Sequence, residues 1–102
     1  MSKHDFRKTF PHIDVVTEWY LGEIVYCLEH YVGMDSENAY SAVTSSDYLS
    51  EMLADYPEYL GHETAFYWAM CIVGNSFWWH DKRLREQHNE YVKERHHPPR
   101  TE

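Results

Sequence analysis

The sequence is short of the residues that interrupt helices. It holds four glycines and four prolines in 102 residues, too few for the turns of a many-stranded β-fold. Its two cysteines, Cys27 and Cys71, exclude a disulfide framework for a domain of this size. No apolar run approaches the ~20 residues that a spanning helix needs. The opening stretch, MSKHDFRKTF, lacks the apolar segment of a secretory signal. These absences point to a cytoplasmic chain that does not enter a membrane. A phosphate-cradling glycine loop, a Gly-x-Ser-x-Gly elbow and a Cys-x-x-Cys pair are all missing. The most informative absence is of positive charge: no Lys or Arg occurs between Thr9 and Asp81.

That same stretch holds twelve acidic residues, from Asp14 to Asp81. The basic residues lie at the ends, with Lys3, Arg7 and Lys8 before it and Lys82, Arg83, Arg85, Lys93, Arg95 and Arg100 after it. The net charge is −8, but its distribution says more: an acidic body with basic ends. One consequence is solubility, with the ends folding back to neutralise the body. The other is an acidic face that steers a basic partner and repels nucleic acid and anionic membranes. A hydrophobic share of 43% and an aromatic share of 17% are too high for a disordered chain. The length fits one domain.

Apolar spacing predicts an all-α fold, a compact orthogonal bundle of four or five helices with a long C-terminal helix. Ile13, Val16, Tyr20, Ile24, Cys27 and Tyr31 recur every three or four residues and predict a first helix over about 13–32, ended by Gly33. Asp35 and Ser36 offer caps to a second helix that turns Ala39, Tyr40 and Val43 inward. Ser45 or Ser46 caps a third, which Pro57 closes near Asp55. A last helix is expected from His62 or Glu63 towards Arg95, along the seam Phe66, Ala69, Val73, Phe77, His80, Leu84, His88 and Tyr91. Trp68, Ile72 and Trp79 lie on a neighbouring stripe, which makes the first half of that helix the expected centre of the core. Gly74-Asn75 is the place where it could kink or break. The division expected is a polar N-terminal lead over 1–12, one helical domain over 13–95 with a half-exposed arm at 82–95, and a disordered tail over 96–102.

Eight histidines invite a metal, but the spacings argue against one. The Glu-x-x-His signature of di-metal bundles occurs only at Glu94–His97, in the tail, and His62-Glu63 is followed by Phe66 where a zinc protease needs histidine. Cys27 and His30 could share a helical face, with Cys71 or His62 brought near by packing. A small hydrolytic or metal-binding domain would use His62, His80, Asp81 and His88. Glu58 and Glu63 straddle a turn and could form an acid–base pair. None of these sets is complete in the sequence, so no cofactor, no metal and no catalytic residue are expected.

The aromatics lead further. Tyr40, Tyr48, Tyr56, Tyr59 and Tyr67 recur through the acidic middle, and of the adjacent Trp78 and Trp79 one must sit at the edge of the core. Tyrosine and tryptophan beside carboxylates are what protein-binding surfaces use, although a small core also uses bulky rings for area. The densest acidic-aromatic segment surrounds Pro57: Glu51, Asp55, Tyr56, Glu58, Tyr59 and Glu63. These six are the predicted contact surface for a basic partner protein. The stretch from Tyr26-Cys27-Leu28-Glu29 to Tyr59-Leu60-Gly61-His62 resembles a group of small uncharacterised bacterial all-helical proteins, some encoded beside toxin-like genes. That resemblance covers about a third of the chain and carries no catalytic residue. Together the features suggest a non-catalytic module that occludes a basic protein, in the manner of an antitoxin, an immunity protein or a phage inhibitor. The alternative is a homo-oligomeric structural or regulatory domain whose aromatic helix pairs with a second copy.

Overall fold

The structure is a computed structural model that describes residues 5–99. Within them the chain is all-α, with no strand, and measures 37 × 30 × 28 Å. Five α-helices follow one another: α1 (Val15–Cys27), α2 (Ser36–Thr44), α3 (Asp47–Asp55), α4 (Ala65–Ile72) and α5 (Lys82–Glu94). Tighter 3-10 turns at Phe6–Lys8, Pro57–His62 and Trp78–His80 join or precede them.

α1 is the centre. Asp14 starts it by accepting the Thr17 N–H at 2.7 Å, and the same bond holds the Asp14 carboxyl below its usual range. Tyr20, Leu21, Ile24, Val25, Cys27 and Leu28 are all buried, so the helix presents no single apolar stripe and is enclosed on several sides. α2, α4 and the 57–62 turn pack against it. After Cys27 the helix widens into a π turn over Leu28–Val32, closed by Gly33 at φ 89°. Asp35 and Ser46 cap α2 and α3 through their side-chain oxygens, which satisfies N–H groups that a helix start otherwise leaves open.

The expected single helix over 62–95 does not form. α4 ends in a Schellman motif: Gly74 sits at φ 77°, its N–H reaches the Cys71 carbonyl, and the Asn75 N–H reaches the Met70 carbonyl. The seam fails where the chain breaks, and Val73, Phe77 and His80 are exposed. Trp79 is also exposed, so the neighbouring stripe does not run through, and the core is centred on α1 rather than on the C-terminal half. Trp78 is the buried member of the tryptophan pair.

The arm over 82–95 is docked. Tyr91, fully buried, donates its hydroxyl to Glu23 Oε1 at 3.0 Å. Arg95 donates Nε and Nη2 to the two oxygens of the same carboxylate, at 3.1 and 2.7 Å, and its guanidinium lies 3.7 Å above the Tyr26 ring. Glu23 is only 7% exposed, so this fork supplies the charge and hydrogen bonds that a buried carboxylate requires. His88 places Nε2 3.1 Å from Thr64 Oγ1, the hydroxyl that caps α4. The ends are also less free than their polarity suggests. Phe6, within the 1–12 lead, is buried against Tyr40, whose hydroxyl donates to the Asp5 carbonyl. His96, at the start of the 96–102 tail, is half-buried against Trp19, Tyr20 and Tyr91. Residues 1–4 of the lead and 100–102 of the tail lie outside the described residues.

Two predictions follow from these contacts. Gly74→Ala should destabilise the protein by about 1 kcal/mol, because alanine is strained at positive φ, whereas in a continuous helix it would stabilise by a similar amount. Nothing stands within 4 Å of an added Cβ there, so urea melts read the backbone effect alone, and a gain in stability would contradict the break. Burial, reinforced by His96 for His88 and by His97 for His96, holds both imidazoles below their ordinary value. The unfolded chain therefore binds more protons, so stability is full above about pH 6.5 and declines as the pH falls below it. The thermal midpoint should drop between about pH 7.5 and pH 5.5, and by less in His88→Asn. An unchanged midpoint would show that neither ring is disfavoured as a cation.

Candidate functional site

The corner after α3 builds a groove. Tyr48, Glu51, Met52 and Asp55 fall on one face of α3 because their spacing is three, four and seven residues. Pro57 ends the helix and starts the 57–62 turn. Leu60, buried, anchors that turn in the core, and its carbonyl accepts the Trp68 indole N–H at 2.9 Å. The chain then reverses into α4, whose Tyr67 and Trp68 form the far wall. The open groove measures about 500 Å³, and its other lining residues are Tyr56, Tyr59, His62 and Glu63.

Five of the six predicted contact residues therefore meet: Glu51, Asp55, Tyr56, Tyr59 and Glu63. Glu58 does not join them. It lines a separate hollow of about 270 Å³ with Asp14, Val16, Thr17, Tyr20 and Pro57, because the 3-10 turn sends neighbouring side chains in different directions. Glu58 and Glu63 consequently line different hollows and do not form an acid–base pair.

Tyr56 and Tyr59 are about half exposed, with ring centroids 5.5 Å apart, and Tyr59 meets His62 edge-on at 5.2 Å. Tyr48 and Tyr67 flank Trp68, at 6.0 and 5.0 Å. The rim is thus aromatic and the charge wholly acidic. The described ion pairs are Arg7–Glu18 at 3.1 Å and Arg95–Glu23 at 2.7 Å. Both basic ends reach α1, and among the described residues no cation pairs with Glu51, Asp55 or Glu63. Burial raises the Tyr67 hydroxyl and the Cys71 thiol beside it above their usual values, so both remain protonated near neutrality.

Sequence reasoning missed Tyr48, Met52, His62, Tyr67 and Trp68 as partners of the acidic corner. The signal was the spacing from Tyr48 to Asp55, together with the four-residue step from Glu63 to Tyr67. Tyr40, from the same series of tyrosines, faces Phe6 instead.

The metal candidates are dispersed. His62 lines the groove, His80 is exposed, Asp81 caps α5 through Arg83 and Leu84 N–H, and His88 lies between Phe66 and Trp78. Among the described residues no three His, Cys, Asp or Glu side chains could hold a metal together. Cys27 and Cys71 are free thiols, and burial pushes the Cys27 thiol far up. No described helix is long and apolar enough to cross a membrane. Compared with protein-family models, with curated proteins and with solved structures, the chain shows no match.

Trp68→Phe tests how the groove is held. It keeps an aromatic side chain but removes the indole N–H and part of a buried ring, so the Leu60 carbonyl loses its donor and the protein should lose roughly 1–3 kcal/mol of stability. Amide exchange should quicken over residues 57–62 more than over α1. Uniform quickening would mean that the bond does not hold the turn.

Proposed function

We propose that the chain is a non-catalytic binding protein whose acidic, aromatic groove caps a basic surface of a partner protein. The supporting observation is the groove itself: Glu51, Asp55 and Glu63 stand beside Tyr48, Tyr56, Tyr59 and Tyr67, with no cation from the described chain among them. A lysine or arginine entering it gains carboxylate partners and ring faces together. Each ring contributes about 0.5–1 kcal/mol to a cation held over it at an exposed site. The surrounding acidic surface accelerates encounter with a basic protein and opposes a nucleic-acid backbone, whose binding needs Lys and Arg. The mechanism is occlusion. An antitoxin, an immunity protein and a phage-encoded inhibitor all work this way, and the chain is read as one of that group. The two free thiols suit the reducing cytoplasm as the place of action.

The groove and Glu58 provide both arms of a test. Immobilised wild type, a Glu51→Lys/Asp55→Lys/Glu63→Lys variant and a Glu58→Lys variant are exposed to lysate of the source organism and washed with rising salt. A basic protein should be retained by wild type and by Glu58→Lys, released by salt, and lost from the triple variant. Equal retention by the triple variant would overturn the assignment of the groove.

A further inference from the structure

The chain also carries a surface complementary to its own groove. Between α4 and α5 the segment over 73–81 projects large apolar side chains, with Phe77 70% and Trp79 43% exposed. Directly after it stand Lys82 and Arg83, both exposed and in no ion pair among the described residues. They occupy the first turn of α5, where the helix dipole disfavours cations and where the Asp81 carboxylate is turned to the Arg83 and Leu84 N–H groups as the helix cap. The Arg85 guanidinium, one turn along, is used internally on the Trp79 carbonyl and fixes the knob from behind. The knob is therefore apolar and basic, and the groove is aromatic and acidic.

The two surfaces are neighbours. Trp79 lines a hollow of about 560 Å³ together with Tyr48 and Tyr67, and these two tyrosines also wall the acidic groove. They are nevertheless not joined in one molecule, since no described ion pair links Lys82 or Arg83 to Glu51, Asp55 or Glu63. Adjacent complementary patches on one face are what a two-fold axis can bury reciprocally, each copy giving its knob and receiving its partner's.

We propose that the groove is occupied by a second copy of this chain, Lys82 and Arg83 of one protomer meeting Glu51, Asp55 and Glu63 of the other, with Phe77 and Trp79 over the tyrosine rim. The dimer uses the groove assigned above but does not require a foreign partner. A basic partner that takes the groove displaces the second copy, so partner binding and dimerisation compete.

Sedimentation velocity over a dilution series tests this with purified protein alone. Wild type should form a reversible dimer that dissociates on dilution and more readily in high salt. Lys82→Glu/Arg83→Glu and Glu51→Lys/Asp55→Lys should each weaken it by roughly tenfold or more, like charges then facing each other. Mixing the two variants should restore a dimer, because both contacts become complementary again with one pair inverted. The chain carrying all four changes should dimerise with itself. Circular dichroism checks that these surface variants remain folded, and if one does not, Phe77→Ser in the wild-type background replaces it and should also weaken the dimer. A monomer at every concentration and salt, or a dimer indifferent to all the variants, would overturn the proposal. Either result leaves the foreign-partner reading standing, while a dimer that competes with no basic protein would retire that reading alone.

Discussion

The structure depends on where its positive charges are. With no Lys or Arg between Thr9 and Asp81, any acidic side chain of the middle that pairs with one must obtain it from an end of the chain. Among the described residues two such pairs form, Arg7 with Glu18 and Arg95 with Glu23, and both land on α1. The second is the more consequential, because Glu23 is buried and a buried carboxylate left without its partners is strongly destabilising. Arg95 and Tyr91 together satisfy it and thereby clasp α5 to the central helix. The described basic ends thus neutralise two carboxylates of α1. Among the described residues no cation pairs with the carboxylates around Pro57.

That corner owes its shape to packing rather than to charge. Leu60 is held in the core, the Trp68 indole holds the Leu60 carbonyl, and the turn between them opens a cleft between α3 and α4. The carboxylates at its edge have water on one side and tyrosine rings on the other. On the proposed reading, a docking cation meets both kinds of group. The exposed Phe77 and Trp79 lie on the adjoining surface, so the apolar and acidic parts of the face are continuous through Tyr48 and Tyr67.

Much of the fold was legible in the sequence because its signals are local. Asp35 and Ser46 are each capping residues before an apolar period, and each caps a helix; the first helix starts later than its apolar spacing suggests, with Asp14 as its cap. Gly33 ends the first helix as its position suggested. The break at Gly74 was less legible, since the apolar seam from Phe66 to Tyr91 keeps its phase through it and the periodicity alone favours continuity. What decides is a left-handed Gly74 and the bonds that close α4, and periodicity carries no information about either. At the groove, the acidic and aromatic residues near Pro57 were visible as a cluster. Their direction was not: a 3-10 turn separates Glu58 from its neighbours, and the far wall comes from α4 through a tertiary contact.

A recognition surface and a high net charge make different claims, and mapping by two-dimensional NMR separates them. Amide shifts would be followed while a short lysine-rich peptide is titrated into the full chain at moderate salt. Shifts concentrated at Tyr48, Glu51, Asp55, Tyr56, Tyr59 and Glu63, with little change around Glu29 and Glu37, are the result this account predicts. Shifts spread over all the acidic residues alike would contradict it, reducing the groove to one part of a uniformly negative surface.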